Sequence, residues 1–169
     1  MREAAFERLY AEHAEAVFNF LLYRTGDRGL AEDLAADTFE RVLRTRRPFD
    51  PRRGSELTWL YSIAINRLRD HLRRSAVEER ALQQAGSESE QVEVSQRSDL
   101  GDRALEAVQT KRTVLEALAV LSPEEREAVA LRYGADLTLA EAARVIDEPR
   151  TTVEGRTYRA LRKLRAELG

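Results

Sequence analysis

The sequence predicts an all-α fold of two small helical domains, an N-terminal helical bundle and a C-terminal helix-turn-helix domain, joined by a flexible linker. Three observations carry that expectation. Ala, Leu, Arg and Glu dominate the 169 residues while Gly and Pro number only 8 and 4, so strands and tight hairpins lack their usual residues. Apolar residues recur at helical spacing in both terminal blocks. Between those blocks runs an acidic stretch almost free of large apolar groups.

The first block reads as three helices. In "FERLYAEHAEAVFNFLLYR", Phe6, Leu9, Tyr10, Val17, Phe20 and Leu21 fall at helical spacing, and "TGDRG" then breaks the helix. The second, "LAEDLAADTFERVLR", turns Leu30, Leu34, Phe39, Val42 and Leu43 towards a core and shows Asp33, Asp37, Glu40, Arg41 and Arg44 on its other face. "TRRPFDPRRGS" is a basic loop punctuated by proline. In the third helix, "ELTWLYSIAINRLRDHLRRS", Leu57, Ala64, Leu68 and Leu72 form the buried stripe, with Trp59, Ile63, Asn66, Asp70 and Arg73 on a second one. Tyr23, Tyr61 and Tyr133 have core spacing, and Trp59 reads as a packing residue rather than a base-stacking one.

The segment "SAVEERALQQAGSESEQVEVSQRSDLGDRA" cannot bury enough surface to offset its ordering entropy and reads as a linker. Its first residues can extend the preceding helix. The expected division is residues 1–76, a linker over 77–107, and residues 108–169.

The second block is sharply punctuated. Ser122-Pro123-Glu124-Glu125 is a capping box with Pro at the first helical position. Gly134 suits a left-handed cap at the end of that helix. Thr138-Leu139-Ala140-Glu141 is a second capping box, opening a short helix that ends at Ile146. Asp147, Glu148 and Pro149 make a turn, with Asp147 able to take the left-handed conformation. A long basic helix, "RTTVEGRTYRALRKLR", follows from Arg150, and Ala143 is small where the two helices would cross. Short helix, tight turn and longer basic helix are the helix-turn-helix arrangement.

The net charge of −2 conceals an uneven distribution. Residues 1–74 carry +2, residues 75–110 carry −5, and the last 20 residues carry +4. Zero cysteines leave no disulfide or thiolate metal site, and His13 and His71 alone support neither a zinc cluster nor catalysis. No histidine–carboxylate constellation or Gly-rich phosphate loop points to an enzyme. The amphipathic N-terminus lacks a signal-peptide core, so a soluble, cytoplasmic protein without cofactor or membrane insertion is expected.

Taken together, these blocks resemble the extracytoplasmic-function (ECF) type of RNA polymerase sigma factor, over roughly Phe6–Ser75 and Val108–Leu168. "AEDLAADTFERVLR" resembles the family's core-binding helix, "TWLYSIAINRLRDHLRR" its promoter-melting helix, and the run from Leu121 to Arg165 its region 4 helix-turn-helix. The resemblance implies that Asp33, Asp37 and Arg41 dock on core RNA polymerase, through carboxylates that suit an Arg-rich partner. Ala36 departs from the Gln often found there. It implies that the loop Phe49–Ser55 walls a pocket for a flipped −10 base, with Arg52 and Arg53 on phosphate. Asn66, Arg67, Arg69, Arg73 and Arg74 then carry the groove along the next helix. Asp70 would orient an arginine. An anti-sigma factor is the implied regulatory partner, and in relatives the linker threads the polymerase cleft, where an acidic strand can mimic nucleic acid.

In the last helix, Val153, Leu161 and Leu164 face inward, with Thr157 or Tyr158 at the packing edge. Arg150, Thr151 and Thr152 approach −35 phosphates or bases from the helix start, and Arg156, Arg159, Arg162 and Lys163 follow along it. Glu154 and Gly155 replace the Lys and Ser common in relatives. Glu154 either accepts from cytosine N4 or complements the helix dipole, and Gly155 permits close backbone approach. The implied function is a transcription initiation factor that directs polymerase to −10 and −35 promoter elements and melts the DNA. Two other readings stand beside it. One is a helix-turn-helix regulator acting without polymerase, which would need a ligand pocket, receiver aspartates or a dimer seam. The other is a helical interaction protein that never touches DNA.

Overall fold

A computed structural model describes residues 3–45, 48–86 and 113–169, so most of the expected linker lies outside the described residues. Helices account for nearly all of what is described, and no strand occurs among those residues. Three helices form the first unit: α1 (Glu3–Thr25), α2 (Arg28–Arg44) and α3 (Glu56–Ala85). A short 3-10 turn, Pro51–Arg53, precedes α3. The second unit contains helical residues 113–118, then α4 (Pro123–Val129), α5 (Leu139–Ile146) and α6 (Arg150–Leu168).

Local chemistry sets most of the boundaries. Asp27 caps α2 by accepting from the Leu30 amide at 3.1 Å, and Ser55 caps α3 by accepting from the Thr58 amide at 3.1 Å. Both expected capping boxes form: Ser122 with Glu125, and Thr138 with Glu141, each side chain accepting from the other residue's backbone amide. Asp147 takes the left-handed conformation, φ 54°, ψ 48°, and turns the chain from α5 into α6. The helix-turn-helix is therefore in place. Helix α3 continues well into the acidic stretch, to Ala85, and Gly86 closes it at φ 70°.

Gly134 is not the left-handed cap expected of it. Instead, Ala130–Gly134 widens into a π-helical turn, closed by a 2.7 Å bond from the Ala135 amide to the Ala130 carbonyl. The left-handed residue comes later, at Asp136 (φ 53°). A Cβ at Gly134 would stand 3.7 Å from the Tyr23 ring of α1, an ordinary contact distance, so neither backbone conformation nor space demands glycine here.

The two units share one apolar core. Val17, Phe20 and Leu21 of α1 and Leu60, Ile65 and Leu68 of α3 join Leu131, Leu137, Ala142, Val145, Ile146 and Val153 of the second unit. Phe20 and Tyr61 pair within it, ring centroids 5.0 Å apart, and burial pushes the Tyr61 phenol up to about 12. A smaller cluster of Leu118, Leu121, Val129 and Ala160 is covered by Leu164 and by Tyr23 from α1. The buried hydroxyls of Thr38 and Thr157 each donate to the carbonyl four residues back, at 2.7 and 2.8 Å.

Four expected core residues are exposed. Tyr10 lies against Phe39 at 4.9 Å but keeps half its surface in solvent, because its helix face turns past the α2 contact. Leu43 lies one residue from the end of α2, and Leu72 lies past Leu68, the last buried residue of α3. Tyr133 is turned outward by the wide turn, where Arg132 stacks over its ring at 5.5 Å.

Since Ser122 satisfies an amide at the start of α4 and accepts part of the load of a two-way box, Ser122→Ala is expected to cost about 1 kcal/mol of stability. Urea denaturation followed by circular dichroism measures it, and a change under a few tenths would contradict the capping role.

Candidate nucleic-acid interfaces

Three surfaces carry the residues expected to bind. On α2, Asp33, Asp37 and Arg41 recur every fourth residue and are all exposed, with Ala36 beside them. Neither aspartate has an ion pair among the described residues, whereas the neighbouring Glu40 and Arg44 pair at 2.6 Å. The α2 face therefore offers two free carboxylates to an outside cation.

The second surface is a cleft of about 670 Å³ between the end of α2, the loop before α3, and α3 itself. Phe49, Arg53, Ser55, Asn66 and Arg67 line it as the sequence expects. Arg41, placed with the polymerase-binding residues, also faces it. Trp59 packs against the core as expected but is only half-buried: its ring lies 5.8 Å from that of Phe49, and the pair forms an aromatic wall of the cleft. Asp50 accepts from the Arg52 amide at 3.0 Å and so shapes the 3-10 turn, which leaves Arg52 and Arg53 exposed and without ion pairs among the described residues. Ser55 lines the cleft, but its hydroxyl is occupied in capping α3 and meeting Thr58 Oγ1 at 2.8 Å.

Asp70 orients the arginines of α3. It pairs with Arg67 at 2.8 Å and with Arg73, while its backbone carbonyl accepts from Arg74 at 3.4 Å. Arg67 Nε is buried without a hydrogen-bond partner at the cleft wall. Arg73 and Arg74 sit on a shallower groove with Val77 and Glu78 and not in the cleft. Arg69 points elsewhere, towards Glu127 of α4 at 3.5 Å. Arg144 of α5 lines the cleft from the other unit; helical spacing within one segment gives no signal for such a cross-chain neighbour.

The third surface is α6. Val153, Thr157 and Ala160 are buried, and Leu161 and Leu164 half-buried, which fixes the opposite face as the accessible one. Arg150, Thr151, Glu154 and Arg162 are exposed, while Thr152 and Gly155 are half-covered. Three of the expected cations are held internally. Arg156 reaches Glu148 at 3.4 Å across the turn. Lys163 meets Glu125 at 2.7 Å, with Arg159 3.8 Å from the same carboxylate. Lys163 and the Ser122 amide hold the Glu125 carboxyl below the usual carboxylate range, so the capping residue of α4 also braces α6. Tyr158, expected at the packing edge, is 65% exposed on the same face as Arg162, four residues on; Thr157 takes the inward place. A Cβ on Gly155 would stand 3.4 Å from the Arg159 guanidinium, the movable end of an exposed side chain.

The arrangement can hold an unpaired base against aromatic and amide groups at one site and present free cations to a duplex at another. Comparisons with known proteins match both units of the chain. Residues 9–77 match Sigma-70 region 2 and residues 117–166 match Sigma-70, region 4. The chain is 34% identical over 166 residues to the RNA polymerase sigma factor CarQ of Myxococcus xanthus, covering 98% of this chain and 90% of that protein. It is 32% identical over 160 residues to the ECF RNA polymerase sigma factor BldN of Streptomyces coelicolor, covering 95% of this chain but 59% of BldN. Among solved structures, the sigma factor RpoE of Bartonella quintana, in complex with the anti-sigma factor NepR, has the same fold, with a TM-score of 0.74 at 22% identity over 97% of this chain and 96% of that one.

The internal pairing on α6 separates its cations experimentally. Arg162→Ala is expected to lower the slope of log affinity against log salt for duplex DNA by about 1 without changing stability. Lys163→Ala is expected to change that slope less and to lower the melting temperature, because it strips Glu125 of its nearest cation. Fluorescence anisotropy across a salt series, with thermal melts, reads both; equal slopes for the two variants would contradict the division.

Proposed function

The chain belongs to the sigma-70 family of RNA polymerase sigma factors, in its ECF branch, and from that premise we propose that it binds core RNA polymerase, directs it to −10 and −35 promoter elements and promotes melting. One observation carries the reading: a single chain holds, in the family's order, a free acidic helix face, an aromatic and basic cleft, and a helix-turn-helix with uncommitted cations.

In this reading residues 1–76 form the polymerase and −10 unit, residues 108–169 the −35 unit, and residues 77–107 the tether. Asp33, Asp37 and Arg41 dock on the polymerase. Phe49, Trp59, Asn66 and Arg67 receive an extruded base, while Arg52, Arg53, Arg73 and Arg74 follow the phosphates. Helix α6 enters the major groove by its exposed face. Bond making belongs to the polymerase; this chain contributes position and melting. An anti-sigma factor that covers these surfaces is part of the same proposal. No helix of the described residues is long and apolar enough to cross a membrane, and a cytoplasmic place of action fits the DNA target.

Glu154 lies on the fifth residue of α6 and has no ion pair among the described residues. Helix-dipole stabilisation fades within the first turn, which supports base reading over stabilisation. Effective concentration explains why both units are needed: two modest DNA contacts become strong when polymerase holds them together.

Transcription in vitro with purified core polymerase and genomic fragments tests the proposal. A promoter-specific transcript dependent on this chain is expected; its absence from every fragment, together with stable duplex binding by the free protein, would favour the independent regulator. Glu154→Gln is expected to shift the ranking of −35 variants, with a change of about tenfold for the preferred base. A uniform effect on all variants would remove the specificity role.

A further inference from the structure

The cleft between α2 and α3 gathers more positive charge than its own lining neutralises. Arg41, Arg53, Arg67 and Arg144 line it, and Asp50 is the one carboxylate among its described lining residues. Arg41, Arg53 and Arg144 make no ion pair among the described residues. Arg67 shares Asp70 with Arg73, and its Nε is buried without a hydrogen-bond partner. Asp50 is itself engaged, accepting from the Arg52 amide at 3.0 Å. Like charges around a concave surface with low-dielectric walls focus the field and draw in an anion.

The neutral groups of the cleft suit a base. Phe49 and Trp59 present adjoining rings, 5.8 Å between centroids and tilted by 45°. Asn66 is exposed, and its amide makes no hydrogen bond among the described residues. The hydroxyls are committed instead: Ser55 meets Thr58 Oγ1 at 2.8 Å, and Ser62 donates to the Thr58 carbonyl at 3.0 Å. What remains for a ligand is ring faces, one amide and a set of guanidiniums, the groups that take a base and its phosphates. The volume of about 670 Å³ falls in the range of small-molecule sites, roughly 300–1,000 Å³.

Two features favour a free nucleotide over one that belongs to a strand. A strand carries one phosphate charge per nucleotide, so an extruded base brings only the phosphate on either side of it. Four guanidiniums against one carboxylate ask for more. A nucleoside di- or triphosphate concentrates that charge beside a single base. Arg144, moreover, comes from the unit assigned to the −35 element, and promoter recognition gives its charge no task at this cleft.

We propose that the cleft binds a free nucleoside polyphosphate, with its base against Phe49 and Trp59 and its phosphates among Arg41, Arg53, Arg67 and Arg144. The bound nucleotide takes the place of the extruded −10 base, a consequence that rests on the initiation-factor reading.

Trp59 is the single tryptophan of the chain, so its fluorescence reports occupancy of the cleft directly. GTP, ATP and UTP are titrated separately into the full chain, with no DNA or polymerase present, and calorimetry repeats each titration. A saturable change is expected with at least one of them, at an affinity about tenfold or more above that for pyrophosphate or for the matching nucleoside. No saturable response to any of the three overturns the site. Pyrophosphate binding as tightly as the triphosphate reduces the cleft to an anion sink and overturns the nucleotide. Arg144→Ala is expected to weaken the triphosphate about tenfold, and Phe49→Ala to weaken it by a similar factor while sparing pyrophosphate. Unchanged affinity in both variants, with melting curves like those of the native chain, overturns the placement.

Displacement of a fluorescein-labelled degenerate 20-nucleotide single strand by the triphosphate, followed by anisotropy, tests the exclusion. Displacement is expected, and Arg144→Ala is expected to require about tenfold more nucleotide. Simultaneous binding of strand and triphosphate overturns the exclusion and leaves the nucleotide site standing. Because the titrations use neither promoter nor polymerase, a failed transcription assay leaves them decisive, and a failed titration leaves the initiation-factor reading intact.

Discussion

The middle of α3 is the constraint on which the other elements depend. Leu60, Tyr61, Ala64, Ile65 and Leu68 are all 1% exposed or less, so rotation of this helix about its axis would expose a large part of the core. With the inward face fixed, the remaining faces have fixed assignments. Trp59, Ile63, Asn66 and Arg67 must line the cleft, Arg73 and Arg74 must run along the groove beyond it, and Arg69 must turn to the second unit. The proposed nucleic-acid surface is thus a by-product of core packing. It is held to the precision of a close-packed interior rather than that of a loop.

The basic residues are arranged by acidic ones. Asp70 holds Arg67 and Arg73, Glu125 holds Lys163 and Arg159, Glu148 holds Arg156, and Glu127 faces Arg24 and Arg69. A long side chain already held in one place loses less rotamer freedom on meeting phosphate, but part of its charge is already compensated. That balance explains how a chain with a net charge of −2 can still present two basic surfaces.

What could be read from sequence was the local chemistry. Capping boxes at Ser122 and Thr138, the left-handed Asp147 and the inward Val153 depend on residues within one helical turn, and each is found as expected. Phe49, Asn66 and Arg67 were expected at a pocket from the family resemblance, and they do line one cleft, where loop and helix adjoin in the chain. Failures cluster where the partner is distant. Arg69 and Glu127 are 58 residues apart, and Arg144 reaches the cleft from the other unit. Periodicity predicts that a face is buried, but not which element lies opposite or where covering ends, hence the exposed Tyr10, Leu43 and Leu72. Trp59 belongs to both classes: packed, as expected, yet packed as the wall of a binding surface.

The wide turn Ala130–Gly134 has a further consequence. It holds one more residue than a regular α-helical turn would, so everything after it is set about 100° round the axis from where an unbroken helix would put it. Within the turn itself, Leu131 faces the first unit while Tyr133 faces water. Loss of a single residue here would return the segment to ordinary pitch and change the angle at which the helix-turn-helix is presented, with every capping signal intact. A one-residue insertion or deletion, usually harmless in a loop, would act at this position as a change of gear between promoter elements of different phase.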